Sequence, residues 1–178
     1  MTPLPHAAVG LVGWKYFSRQ RDIKTLAAFL LVSCLPDLDF VLYNLFGKPQ
    51  IFRHQLYSHN IFFILICAVI FFPLFKSAKE RGGLVLIGLS HLVMDVFVID
   101  DVPPVGFRPF WPLSRLLVSF GFFPYVRRGT LDQVLSLSNL AAFGLEVLLF
   151  VIPAIVICRR ELLSLWRSKV LRKKVQPS

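Results

Sequence analysis

Charged residues are scarce in this chain. Asp, Glu, Lys and Arg make up 17% of its 178 residues, and 56% are hydrophobic. In a soluble domain about a quarter of the residues are charged. This scarcity, together with several long apolar runs, excludes an ordinary soluble globular protein and predicts a single integral membrane domain.

Acidic residues are the scarcer of the two charge types, 10 against 20 basic, which leaves a net charge of +10. The basic residues stand mostly at the ends of apolar runs, as the positive-inside rule predicts. Anionic lipid head groups therefore explain the charge, and a nucleic-acid partner is not needed. We expect membrane lipids to be the main partners; the sequence does not indicate an oligomeric state.

Neither the cysteines nor internal repeats indicate a functional motif. The three cysteines, Cys34, Cys67 and Cys158, are far apart within apolar runs and form no CxxC pair, so we expect buried thiols rather than a disulfide framework. No internal repeat is visible, which disfavours a typical secondary transporter. The N-terminus lacks a basic region followed by an A-x-A site, so no cleaved signal peptide is expected.

The apolar runs predict an all-α fold, a polytopic membrane helix bundle with about four or five membrane-embedded helices. They cover residues 7–17, 26–46, 61–75, 83–99 and 139–158. Residues 1–158 would form the membrane-embedded domain. Residues 159–178, which carry seven Lys or Arg, would form a basic cytoplasmic tail lying on the membrane surface.

Histidine is rare, with four residues in all, and one of them has an acidic neighbour inside an apolar run. His91 and Asp95 are four residues apart and would share one face of a helix. Both are costly in lipid unless something compensates them. A divalent metal ion would do so. A buried hydrogen-bonded pair that only packs helices together is the alternative.

Two further stretches carry the same residue types. Pro36 interrupts an apolar run beside Asp37 and Asp39, and a proline kink could turn both carboxylates toward one point; a polar loop between two short helices is the alternative. The polar loop 47–60 contains His54 and His59, which need a turn to meet. Ser58 or Asn60 could cap the helix that follows.

Basic clusters at 19–24, 76–81 and 159–174 should all be cytoplasmic, and alternating spans allow this arrangement. The four histidines and three of the ten acids then fall on the non-cytoplasmic side. The residues that could bind metal there are His6, Asp37, Asp39, His54, His59, His91 and Asp95. Seven potential ligands favour two metal ions, or one ion with surrounding residues that orient its ligands.

Four motifs in this order resemble the membrane-bound metal-dependent hydrolase family that includes the LexA-regulated inner-membrane hydrolases of bacteria. They are Thr2-Pro3-Leu4-Pro5-His6, Pro36-Asp37-Leu38-Asp39, Arg53-His54 with Ser58-His59, and Ser90-His91-Leu92-Val93-Met94-Asp95, followed by Trp111-Pro112. The resemblance covers about residues 1–115. It implies distant similarity to zinc-dependent phospholipase C and the P1-type nucleases, in which His and Asp bind a zinc cluster that activates water against a phosphodiester.

The resulting hypothesis is a multi-pass protein of the bacterial inner membrane that hydrolyses a phosphoester, such as a phospholipid or a lipid-linked phosphate, by metal-activated water. The ion would be zinc, in one or two copies, or else manganese or iron. Arg53 would pair with a phosphate oxygen, or be an ordinary surface charge; Asp39 is a candidate general base. Glu146 could join the site, but a hydrogen bond between helices is the preferred interpretation. The alternative function is a non-enzymatic membrane protein whose polar cluster binds ions or protons for transport, or only supports packing.

Overall fold

The structure is a computed structural model that describes residues 1–47, 55, 57–100, 106–126 and 135–175. Helices dominate these residues, as predicted. They are α1 (Pro3–Phe17), α2 (Ile23–Cys34), α3 (Leu38–Leu45), α4 (Ile61–Phe71), α5 (Ala78–Val96), α6 (Leu137–Glu146) and α7 (Ile152–Val175). Helix α1 is longer than the predicted 7–17, and α5 begins five residues before the predicted run.

The centre of the bundle is formed by α1, α2 and α5, which pack against one another. Trp14, Phe29 and Leu84 are fully buried there, and the Trp14 indole donates a 3.1 Å hydrogen bond to Thr25 Oγ1. Gly10 allows close approach of α1 to α2, because a Cβ at this position would lie 2.5 Å from Ser33 Oγ. Tight packing here fixes the positions of the three helices that carry most of the polar residues.

Proline interrupts the second helical region as predicted. Helix α2 ends at Cys34, a 3₁₀ turn covers Leu35–Asp37, and α3 begins at Leu38. Pro36 has no N–H to donate, and the chain tightens rather than unwinding into the polar loop of the alternative interpretation. Asp37 and Asp39 are therefore presented from one short, rigid segment.

Polar caps define where the next two long helices begin. The Asn60 side chain accepts a 2.9 Å hydrogen bond from the N–H of Phe63, so the predicted cap of α4 is Asn60. Ser77 and Glu80 form a reciprocal capping box at the start of α5. The N–H of Arg19 donates to Glu80 as well, at 2.9 Å, and this bond joins the end of α1 to the start of α5.

One small departure from an all-α fold lies in the connection after α5. Strand β1 (Val98–Asp100) pairs in parallel with β2 (Phe123–Val126), and Phe107 forms an isolated antiparallel bridge with Val118. The N–H of Phe120 donates to the carbonyl of Val96 at 2.7 Å, closing the end of α5. The prolines and aromatic residues of this connection favour such extended pairing over further helix, which the apolar pattern did not reveal.

Two helical segments are long and apolar enough to cross a membrane: Ile23–Tyr43, with a mean hydropathy of 1.8, and Leu137–Ser168, with 2.6. The second includes a π-helical turn, Val147–Val151, between α6 and α7. Helix α4 with its following turn is shorter. The prediction of four or five membrane-embedded helices remains a prediction. So does the division at residue 158, a point that lies within α7.

Candidate metal centre

Residues from four segments meet in one buried polar cluster. His6 comes from α1, Asp37 from the turn after α2, His59 from the loop before α4, and His91 and Asp95 from α5. Each of these side chains is at least nine-tenths buried, and the three histidines are only 1% exposed. The i,i+4 spacing in α5 places His91 and Asp95 side by side, as predicted, with Nε2 3.1 Å from Oδ2. The predicted convergence of distant motifs is thus observed for these residues.

Four ligand atoms of this cluster approach one another closely. They are Nε2 of His59, Nε2 of His91, Oδ1 of Asp37 and Oδ2 of Asp95. The two imidazole nitrogens are 3.2 Å apart, and each lies between 3.1 and 3.6 Å from both carboxylate oxygens. Ligands placed 2.0–2.1 Å from a tetrahedral zinc ion are separated by about 3.3 Å. The distances around the two imidazole nitrogens therefore match those between ligands of one cation.

The hydrogen bonds at the far side of both rings assign their protons. Nδ1 of His91 lies 2.7 Å from the carbonyl oxygen of Ser33, which can only accept, so this nitrogen donates. The Ser58 hydroxyl donates to Asp39 Oδ2, and its oxygen lies 3.0 Å from Nδ1 of His59, which then donates to it. Two neutral rings bonded in this way direct Nε2 lone pairs toward each other across 3.2 Å. A proton shared by the two nitrogens, or a cation bound between them, would satisfy both lone pairs.

The second oxygen of each of the two carboxylates faces His6. Its Nε2 lies 3.4 Å from Oδ1 of Asp95 and 3.9 Å from Oδ2 of Asp37. The amino group of Met1 lies 2.6 Å from the same Asp95 oxygen. Asp37 and Asp95 therefore each present one oxygen to the His59–His91 pair and the other to His6. Carboxylates shared in this way are suited to bridging two neighbouring cations.

Asp39 lies behind His59 rather than among these four atoms. Its Oδ2 accepts from the N–H of Gln55 at 3.0 Å and from Ser58, and it lies 3.4 Å from Nδ1 of His59. Asp37 thus approaches one nitrogen of the His59 ring and Asp39 the other. A carboxylate on the outer nitrogen of a metal-binding histidine fixes the tautomer and the orientation of the ring.

The electrostatics of the cluster favour positive charge. Burial by itself lowers the pKa of His59, but the carboxylates of Asp37, Asp39 and Asp95 outweigh burial and hold this pKa well above its usual range. Among the described residues, no Lys or Arg side chain is within ion-pair distance of Asp37 or Asp95, and the amino group of Met1 contacts the outer oxygen of Asp95. The same negative field attracts a divalent cation.

Buried polar atoms of the cluster that lack hydrogen-bond partners also favour a bound cation. Among the described residues, both ring nitrogens of His6, Oδ2 of Asp37 and Oδ2 of Asp95 are buried and make no hydrogen bond. Such atoms are costly in a protein interior unless an ion compensates them. Ligand atoms of His6, Asp37, His91 and Asp95 lie within 4.8 Å of one another, close enough to hold a metal ion together. The residues present fit a divalent cation.

The remaining predicted residues are placed as follows. Arg53 and His54 lie outside the described residues, and their predicted roles stay predictions. Glu146 is 5% exposed, and its carboxylate accepts hydrogen bonds from the N–H and the hydroxyl of Thr2, at 3.1 and 2.5 Å. It therefore makes the expected contact between helices, and that contact holds the N-terminal end of α1.

Sequence reasoning missed two groups that orient the histidines. One is the carbonyl of Ser33, which any residue at that position would supply and which carries no sequence signal. The other is the hydroxyl of Ser58, which the sequence suggests only as a possible helix cap. Its place directly before His59 is the available signal, since adjacent residues in a tight loop can share one carboxylate.

The helical fold, the apolar spans and the buried His/Asp cluster define a helical membrane protein with a candidate metal centre. Comparison with known families agrees with this class. Residues 1–163 match the model of the YdjM inner membrane protein family, and the chain belongs to that family. No curated protein and no solved structure matches the chain.

Proposed function

We propose that this protein is a metal-dependent hydrolase of the inner membrane that cleaves a phosphoester on a lipid or a lipid-linked molecule. The close approach of His59, His91, Asp37 and Asp95 carries the proposal, because the distances from each imidazole nitrogen to the other ring and to both carboxylates match the spacing of ligands around zinc. Structural zinc sites are usually rich in cysteine. The carboxylates and imidazoles here are more typical of hydrolytic centres.

His59, His91, Asp37 and Asp95 would hold a first ion, and His6 with the outer carboxylate oxygens would hold a second. A bound divalent ion would polarise a phosphoryl oxygen and lower the pKa of water. Asp39 and Ser58 orient the His59 ring, and the Ser33 carbonyl orients His91. The proposal assigns Asp39 to orienting His59 instead of the predicted general base, and it keeps Arg53 as a candidate phosphate-binding residue.

The position of the cluster supports a lipid substrate. The cluster lies at the N-terminal end of α1 and the C-terminal end of α5, where the segment 106–126 covers it. Phe107 of this segment is buried beside His59, with ring centroids 6.4 Å apart. The carbonyl of Pro109 accepts a hydrogen bond from the N–H of Ile61. A site at the end of a membrane helix bundle could admit a head group while the lipid tail stays in the bilayer. We propose that this end is on the non-cytoplasmic side.

Metal content provides the direct test. Elemental analysis of detergent-purified protein is expected to find about one or two equivalents of zinc, manganese or iron, and His91→Ala and Asp95→Ala should lose them. Ser90→Ala is the matched control, because the Ser90 hydroxyl bonds to the carbonyl of Ile87 in its own helix. All variants are first compared with wild type by gel filtration and thermal unfolding.

Absence of bound metal in folded wild type, even after incubation with these ions, would overturn the proposal and favour a proton-binding or packing role. If metal is bound, a screen of phosphodiester and phosphomonoester lipids tests the reaction. Turnover that is lost in Asp95→Ala and kept in Ser90→Ala is the expected result. A metal-loaded protein that hydrolyses none of these lipids would contradict the assigned substrate class.

A further inference from the structure

An apolar groove of about 360 Å³ lies between α1, the π-helical turn and the start of α7. One wall is formed by Val9, Val12 and Gly13 of α1, and the other by residues that include Pro153 and Ala154. None of the described residues that line it is charged. A Cβ at Gly13 would lie 2.3 Å from Cγ1 of Ile87, so a larger residue at this position would have to displace its neighbours. The groove is thus a built feature of the helix packing.

The groove begins about one helical turn from His6 along α1. His6, Val9, Gly13 and Tyr16 follow one another at spacings of three and four residues, so they share one face of the helix. His6 therefore stands at the head of the apolar stripe that forms the groove wall. On the opposite wall, Leu149 comes three residues after Glu146, which holds Thr2. Both walls begin within about one helical turn of residues that position the site.

The dimensions of the groove fit a single alkyl chain. From Ala8 to Phe17 on α1 the groove spans ten residues, a rise of about 13 Å at 1.5 Å per residue. An extended chain covers this length with on the order of ten bonds. Three of the residues that line the groove are exposed, Tyr16 at 59%, Leu149 at 51% and Ile157 at 39%. In a membrane the groove therefore opens toward hydrocarbon.

The charged residues beyond the end of the groove that is farther from His6 indicate how a bound lipid would be oriented. Below the groove, Lys15 Nζ bonds the carbonyl of Ile157 at 2.6 Å and lies 3.4 Å from Glu161, which Arg21 also contacts at 3.1 Å. These basic groups are already paired with a carboxylate and a carbonyl. The cluster at the opposite end instead has unsatisfied acceptors suited to a metal that binds phosphate. A phosphorylated head group is accordingly matched to the His6 end.

We propose that this groove binds one acyl chain of a phospholipid whose head group lies at the His/Asp cluster; the head-group assignment rests on the function proposed above. The substrate class is thereby narrowed to lipids with an acyl chain that reaches from the centre along α1. A short or soluble phosphoester would engage the cluster but leave the groove unused.

Photo-crosslinking tests the groove independently of activity. The protein is placed in nanodiscs of phosphatidylglycerol that contain a phosphatidylglycerol probe with a diazirine in the middle of one acyl chain, and crosslinked peptides are mapped. Crosslinks to residues 8–17 are expected in wild type and should fall about tenfold in Ala154→Phe, which fills the groove. Ile155→Phe is the matched control, since it adds the same ring at the adjacent, lipid-facing position. Val12→Phe fills the groove from the other wall and serves if Ala154→Phe does not fold.

Equal crosslinking of residues 8–17 in all folded variants would overturn the proposal. The measurement is repeated in His91→Ala, which is expected to lose metal and to keep groove crosslinking. Groove-specific crosslinking in a protein that never binds metal would refute the proposed hydrolase and leave the lipid groove standing. If the protein binds metal but filling the groove does not change the crosslinking, only the proposal of an acyl-chain groove would be refuted.

Discussion

At the scale of single residues, the site depends on how two imidazole rings are held. Ser58 bridges Asp39 and Nδ1 of His59, and the Ser33 carbonyl accepts from Nδ1 of His91. Each outer bond leaves Nε2 as the atom that faces the cluster. Groups of this kind around a metal site commonly contribute about 10–100-fold in metal affinity, although they never touch the ion.

Replacing Ser58 with alanine should therefore weaken zinc binding by about 10–100-fold, because His59 loses the acceptor that fixes its tautomer. Titration with a fluorescent zinc indicator measures the change. Ser33→Ala is a matched control: its hydroxyl bonds to Leu30 in the same helix and contacts Cys34, while the carbonyl that orients His91 is retained. Equal zinc affinities for the two variants would show that the hydroxyl of Ser58 does not orient the ring.

Residue identity alone predicts much of the cluster. Histidine and aspartate four residues apart in an apolar run indicate the His91–Asp95 pair, since the helical period brings them together and lipid makes them costly. The same reasoning does not separate Asp39 from Asp37. The path of the chain around the 3₁₀ turn decides which carboxylate meets Nε2 of His59 and which meets Nδ1, and that geometry depends on tertiary packing.

At the scale of secondary-structure elements, polar helix caps and proline were the sequence features that predicted helix boundaries. Pro36 predicted the end of α2, and Asn60 was one of two predicted caps of α4. The beginning of α5 was missed because residues 78–82 are polar and lie outside the apolar run, although the capping box of Ser77 and Glu80 marks the true start. Strands β1 and β2 pair residues that are more than 20 positions apart. The local pattern of apolar and polar residues does not predict such pairing.

The start of α5 gives a prediction about pH. Burial by itself raises the pKa of Glu80, but hydrogen bonds from the N–H of Arg19 and from Ser77 outweigh it and hold the pKa below its usual value. Because the folded pKa is lowered, this carboxylate stabilises the protein above the unfolded pKa, and the stabilisation is lost as pH falls through the folded value. Glu80→Gln should thus lower the free energy of unfolding near pH 7 by about 1 kcal/mol.

Thermal unfolding in detergent across pH 3–8 checks this expectation. The difference between wild type and Glu80→Gln should shrink as pH falls below the ordinary glutamate pKa of about 4.3 and then through the lowered pKa of the folded protein. Lys79→Gln is a control for loss of a charge at the adjacent exposed position. A difference that stays constant with pH would indicate that the Glu80 charge is not what stabilises this end of α5.

At the scale of the whole molecule, the bundle has two chemically different ends. Arg19 contacts Glu80, and Arg21 contacts Glu161, so these bonds gather the basic clusters at one end. The candidate metal centre lies at the other end of α5, because Asp95 is fifteen residues, about 22 Å, beyond Glu80. The three basic clusters were predicted to share a side from charge alone, and their observed proximity supports this arrangement.

The positive-inside rule predicts that the basic end lies in the cytoplasm and the candidate metal centre on the opposite side. In a background with Cys34, Cys67 and Cys158 replaced by alanine, Leu113→Cys in the segment covering the centre should react with a membrane-impermeant maleimide in spheroplasts. Lys79→Cys at the basic end should react only after the membrane is permeabilised; both positions are exposed in the structure. The reverse labelling pattern would place the centre on the cytoplasmic side, and labelling of both sites in intact spheroplasts would refute an arrangement in which the membrane separates the two ends.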